Sequence, residues 1–186
     1  RYFDIEWDEE VQLHDGRVAI VHVKNTYERR GMRFSRYEDA TFRRNELTFD
    51  AGSGLRRVTL GSRLGVSHLD QIDGIWYAVL FGQGPYGNHP DEMPDHWGSD
   101  FTMQGERLAR LDKERFVPIA WELAPPGTIL LNNRVVGSMP LEVLAGFNHK
   151  QLTLEDKKHL RARYPPGPGG GQISRPLRMK QTQGEK

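Results

Sequence analysis

Cysteine is absent from the 186 residues, which excludes disulfides, thiolate nucleophiles, iron–sulfur clusters and cysteine-ligated zinc. A surplus of charge is all but missing too: 26 Lys and Arg stand against 25 Asp and Glu, a net +1 at neutral pH. No global field therefore drives the chain toward nucleic acid or anionic lipid, and electrostatic binding has to come from local patches. Nor is there an apolar run approaching the ~20 residues a membrane-crossing helix requires. What is present, 37% hydrophobic and 27% charged residues, suits one globular domain with a buried core, since single domains usually span roughly 100–200 residues. The chain opens on Arg1 rather than Met, and the expectation is of an upstream segment, a signal peptide or an anchor helix, so localisation is not readable from composition.

Hairpin signals organise the chain. In "EVQLHDGRVAIVHV", Asp15-Gly16 separates two β-favouring runs, and a two-residue turn there pairs Leu13 with Val18 and Val11 with Ile20. On that register the second strand is apolar on both faces, through Ile20 on one and Ala19, Val21 and Val23 on the other. "NELTFDAGSGLRRVTLG", "LDQIDGIWYAVLF" with Asp73-Gly74, and "TILLNNRVVG" with Asn132-Asn133 give three further turns of this kind. "LDKERFVPIAWEL" adds a strand in which Pro118, lacking an amide donor, favours an edge or a bulge. Helical signals come late: Pro140 before Leu141 to Leu144 and a stop at Gly146, then "TLEDKKHLRARY" with Thr153 as N-cap and acids in the first turn. From Pro165 onward the chain is Pro, Gly and basic residues without an apolar period, which reads as an extended tail. The expected architecture is mainly β, antiparallel hairpins in a sandwich or open barrel over residues 1–164, with two short C-terminal helices and a tail over 165–186.

Two familiar patterns overlap in "YAVLFGQGPYGNHPDEMPDH", residues 77–96. Gly82, Gly84 and Gly87 satisfy G-x-G-x-x-G after a strand, but a dinucleotide site needs a helix to start there, and Pro85, Pro90 and Pro94 occupy its place. His89, Asp91, Asp95 and His96 are a ligand set suited to a divalent metal. Their spacing matches no helical or strand motif, and the candidates outside the loop, His68 and His149, are not placed by sequence.

Other constellations are weaker. "GVSHLD" brings Ser67, His68 and Asp70 together, but neighbours on a regular strand point to opposite faces and no nucleophile elbow surrounds the serine. Asp4, Glu6 and Asp8 would share one strand face beside Glu9 and Glu10, a contiguous acidic run that most simply forms a solvated face. "YERRGMRFSRYEDATFRR" interleaves Arg29, Arg30, Arg33, Arg36, Arg43 and Arg44 with Tyr27, Phe34, Tyr37 and Phe42. That mixture serves phosphate contact with base stacking, or an acidic protein partner. The plain alternative is a long hairpin connection whose aromatics pack inward while its arginines meet the acidic N-terminal strand. Arg175 and Arg178 add basic charge to the tail.

The segment W-x-E-E-V-x-L-x-D-G, Trp7 to Gly16, and the later "DGIWYAVLF" resemble uncharacterised bacterial envelope-associated β-rich proteins in which the first motif opens a β region after an N-terminal anchor. The resemblance covers about a third of the chain. It implies a cell-envelope or periplasmic setting and carries no activity or catalytic residue; no lipobox cysteine is present here.

The leading expectation is a non-enzymatic, envelope-associated accessory module without a cofactor. It would bind a protein partner through Arg29, Arg30, Arg33, Phe34, Arg36, Tyr37, Arg43 and Arg44, the long loop from Gly82 to Asp100, and the tail with its arginines Arg175 and Arg178. The alternatives are a metal-dependent hydrolase built on His89, Asp91, Asp95 and His96, and a nucleic-acid-binding module using the stretch from Arg29 to Arg44.

Overall fold

A computed structural model describes residues 1–29, 40–52, 57–62, 64–81, 106–125 and 141–163. The strands are β1 (Tyr2–Gln12), β2 (Val18–Arg29), β3 (Ala40–Phe49), β4 (Val58–Ser62), β5 (Gly65–Ile72), β6 (Ile75–Phe81), β7 (Glu106–Asp112), β8 (Arg115–Ile119) and β9 (Gln151–Leu152). A 3₁₀ turn covers Trp121–Leu123, and the helices are α1 (Leu141–Ala145) and α2 (Leu154–Arg163). They form two open sheets, ordered β4-β3-β2-β1-β9 and β5-β6-β7-β8. Every pairing is antiparallel except β1 with β9. The β-rich class and the two late helices are as the turn chemistry predicts, and the sheets do not close into a barrel.

The sheets share one core. Trp7, Val11, Val23, Leu47 and Phe49 from the first meet Val66, Leu69, Trp76, Leu80 and Phe116 from the second. Phe49 sits against Trp76 and Phe116 at ring-centroid distances of 4.7 and 6.2 Å. The Trp76 indole N–H donates to Ala51 O at 2.9 Å, so this large ring is buried without an orphaned donor.

The first hairpin departs from its expected register. Gln12 pairs with Val18 and Val11 with Ala19, and Gly16 at φ 88° closes a three-residue loop, His14 to Gly16, rather than a two-residue one. One residue of slip moves a whole strand face. Val21 and Val23 are fully buried, whereas Val18 and Ile20 are 47% and 50% exposed, so β2 is buried on one face, not both. The Asp73-Gly74 turn behaves as predicted: Ile72 pairs with Ile75, and both turn residues take positive φ. Pro118 lies in β8, an edge strand of its sheet. The Asn132-Asn133 turn lies outside the described residues.

Two β-bulges resolve conflicts in the alternation. Between Thr26 and Tyr27 the β2–β3 register shifts, so Phe42 and Asn45 both face inward while the consecutive Arg43 and Arg44 stay out of the core. A second shift, between Val66 and His68, lets Val66 and Leu69 both enter the core. It also brings Ser67 Oγ to 2.8 Å from His68 Nδ1, so these neighbours do not diverge as on a regular strand.

Helix α2 is capped as expected. The Asp156 amide donates to Thr153 Oγ1 at 3.2 Å and the Thr153 amide donates to Asp156 Oδ2 at 2.9 Å, a reciprocal capping box. The Thr153 amide and the Thr153 hydroxyl, which donates to Asp156 Oδ2 at 2.8 Å, hold the Asp156 carboxyl below the usual carboxylate range. No helix among the described residues is long and apolar enough to cross a membrane.

Candidate functional site

Polar side chains enter the interior of the first sheet at two places. Near the β9 edge Glu9, fully buried, receives Lys157 Nζ at 3.0 Å and the Trp7 indole N–H at 2.8 Å. Lys157 also donates to Glu10 O at 2.8 Å, and the Leu154 amide donates to Glu10 Oε2 at 2.8 Å. The acidic run is thus split by strand alternation: Asp4, Glu6 and Asp8 face outward, while Glu9 is a core residue that fastens α2 to β1. The segment from Trp7 to Gly16 has a structural reading throughout, since Trp7, Val11 and Leu13 are core, Glu9 and Glu10 anchor α2, and Gly16 makes the turn.

The second place lies toward the opposite end of the sheet, where β1 begins and β2 ends. Asn25 and Asn45 are directly paired across β2 and β3, both fully buried. Asn45 Nδ2 donates to Asn25 Oδ1 at 2.6 Å, and Asn25 Nδ2 donates to the Tyr27 hydroxyl at 3.2 Å. Among the described residues Asn45 Oδ1 has no hydrogen-bond partner. Turning both amides over reverses the donors along this chain and still leaves one polar group of Asn45 unpaired, so the deficit does not depend on amide assignment. Burial pushes the Tyr27 phenol up to about 12, so it remains a neutral hydrogen-bonding group rather than a base or nucleophile.

Aromatic rings lead from these amides to the end of the strand. Tyr27 packs edge-on to Phe42 at 5.9 Å and stacks on Phe3 at 5.6 Å, and the Arg29 guanidinium lies 4.9 Å from the Phe3 centroid. Arg43 bonds Glu28 Oε2 through both Nε, at 2.8 Å, and Nη2. Arg44 pairs with Glu46 at 3.4 Å and crosses β4 over Gly61, where a side chain would collide with its guanidinium. Of the arginine stretch the structure therefore describes Arg29, Arg43 and Arg44: the aromatics Tyr27 and Phe42 pack inward, and the arginines meet Phe3, Glu28 and Glu46 rather than the acidic face of β1. Arg30, Arg33, Phe34, Arg36, Tyr37, Arg175 and Arg178 lie outside the described residues, as do His89, Asp91, Asp95 and His96.

Of the remaining candidates, His68 is buried beside Ser67, whose hydroxyl also donates to Val79 O at 3.2 Å. Asp70 faces a different histidine: its Oδ1 takes the His14 ring at 3.0 Å and the amides of His14 and Gln71 at 3.2 and 2.8 Å. Ser67, His68 and Asp70 do not form a relay; Asp70 ties the first hairpin to the second sheet, and its hydrogen bond raises the His14 pKa above the ordinary 6.5. His149 stands near Glu6 on the outer face of β1. No group of three or more His, Asp or Glu among the described residues is arranged, as it stands, to hold a metal ion.

Asn25 and Asn45 were not singled out by sequence reasoning, although a signal existed. Val21, Val23, Asn25 and Tyr27 share the inward parity of β2, and an asparagine at a core position is informative once the register is known. Fold and site together define a two-sheet, mainly antiparallel β protein with an arginine-fronted aromatic stack over buried amides. No family model, curated protein or solved structure matches the chain.

Proposed function

We propose that this chain is a non-enzymatic binding module whose protein partner is engaged at the end of the first sheet where Arg29, Phe3, Tyr27 and Phe42 are stacked. The observation that carries the reading is the incomplete hydrogen bonding of Asn45 behind that stack. A buried acceptor without a donor costs about 1–3 kcal/mol, and a fold keeps such a deficit at little disadvantage where a bound group or water relieves it. Arg29, exposed at the strand end and oriented by Phe3, suits a carboxylate-bearing partner, for which a guanidinium offers a directional, permanently charged donor. The resemblance of Trp7 to Gly16 to envelope-associated proteins is the ground for an envelope setting, and it carries no activity.

The test is capture by immobilised full chain from a cell-envelope extract, set beside the Arg29→Glu variant and a chain ending at Tyr164. The reading predicts a partner retained by wild type, lost with Arg29→Glu and weakened by the truncation. Identical captured sets from wild type and Arg29→Glu would sink it. Single-stranded nucleic acid titrated across a salt series separates the nucleic-acid alternative, because phosphate neutralisation makes such binding fall steeply with salt.

A further inference from the structure

The outer face of the first sheet gathers two histidines and two carboxylates that neither the fold nor the binding reading above uses. Register places Asp8 directly opposite His22 and Glu6 two pairs along on the same face, opposite Lys24. His22 Nδ1 lies 2.8 Å from Asp8 Oδ1, and its other nitrogen, Nε2, lies 3.6 Å from Glu6 Oε2. His149 arrives from the connection between α1 and β9, with Nδ1 3.4 Å from Glu6 Oε1. That connection is clamped to β1 by backbone: the His149 amide donates to Glu6 O at 2.7 Å, the Asp8 amide to Lys150 O at 3.0 Å, and the Glu6 amide to Asn148 Oδ1 at 2.9 Å. His149 itself holds φ at 59°.

We infer that Glu6, His22 and His149 form a binding site for a divalent transition-metal ion, with Asp8 as the carboxylate that orients His22. The donor chemistry is the reason. When Asp8 accepts the His22 Nδ1–H, the tautomer is set and the lone pair of Nε2 is directed to the side where Glu6 offers a carboxylate oxygen. Two electron-rich atoms facing one another call for a cation between them, and a carboxylate behind the imidazole is the usual support of a metal-ligating histidine. Ligands about 2.1 Å from a tetrahedral zinc stand roughly 3.4 Å from one another, and the two histidine–Glu6 separations are 3.6 and 3.4 Å. As they stand the imidazoles address different oxygens of Glu6, so the donors come in pairs rather than around one point. A metal held by all three requires rotation of the His149 side chain, 70% exposed, and a turn of the Glu6 carboxylate to bring the donors around one point. Two imidazoles and a carboxylate then leave a fourth position open to water or to a partner's side chain.

Zinc titrated calorimetrically into the full chain near neutral pH tests this, on a His89→Ala/His96→Ala background that removes the competing histidine loop. The site predicts stoichiometric binding on that background, abolished by adding His149→Ala or His22→Ala and weakened at least tenfold by adding Asp8→Asn, with unchanged thermal midpoints because the rings lie on the outer face. Absence of stoichiometric binding on the background, or binding that survives His149→Ala, overturns the inference and leaves an ion-paired histidine cluster only.

Discussion

The two polar intrusions into the first sheet are opposites. Glu9 is matched by an ammonium, an indole N–H and a buried position against α2, a network closed around a charge. Asn25 and Asn45 are neutral, share their bonds in single file, and end on an acceptor with no donor among the described residues. A buried charge left without its partner is strongly destabilising, whereas a buried amide with one open position survives at modest cost. The difference separates scaffold from candidate site: the closed network fixes α2 and β9 to β1, and the open one sits behind the arginine and aromatic end.

The largest expected effect comes from breaking the closed network. Lys157→Met removes the cation bonded to Glu9 and should destabilise the chain by about 3–5 kcal/mol in a denaturant titration. Pairing it with Glu9→Gln, which keeps an acceptor for Trp7, should recover most of that loss. If the single variant were as stable as wild type, the pair would not be the fastening described.

The open network should respond differently. Asn45→Ala strands the Asn25 carbonyl and should cost about 1–3 kcal/mol; the double variant Asn25→Leu/Asn45→Leu strands the Tyr27 hydroxyl instead, and adding Tyr27→Phe, which leaves no member of the hydrogen-bonded chain, should bring stability within about 1 kcal/mol of wild type. Should the triple variant fold normally and still retain the partner captured by wild type, the amides are structural and the comparison loses its functional half.

The smallest effect concerns the tie between the sheets. Because the Asp70 hydrogen bond raises the folded His14 pKa above 6.5, the stabilisation is fully present below 6.5 and is lost as pH rises through the higher folded value. Wild type should therefore show a decline in unfolding free energy over that window that His14→Ala lacks, while Asp70 keeps the His14 and Gln71 backbone amides in both. Equal slopes for the two proteins would remove His14 from the account.

Much of the architecture was open to reading from local chemistry. Asp73-Gly74 set its turn and register because both positions need positive φ, Pro118 fell on an edge because it lacks a donor, and Thr153 capped α2 through Asp156 three residues on. Each of those features is decided within a few residues. The first hairpin differs by one position from its local expectation because Asp-Gly serves two-residue and three-residue loops alike, and only packing of Val11, Val21 and Val23 on the second sheet selects between them. The bulges at Arg43 and Ser67 arise for the same reason: burial across the sheet overrides alternation along the strand.

From its sequence alone this protein was destined to be cysteine-free, nearly neutral and built of antiparallel hairpins followed by two short helices. Tertiary structure decided which charges are core and which are surface. Glu9 and Glu10 are adjacent and chemically alike, yet only Glu9 is sealed against a lysine 148 positions away. Asn25 and Asn45, or Glu6, His22 and His149, likewise meet only because strand order brings distant segments side by side. Local sequence carries turn geometry and periodicity, but partnership between distant polar groups is set by register, which the whole core determines.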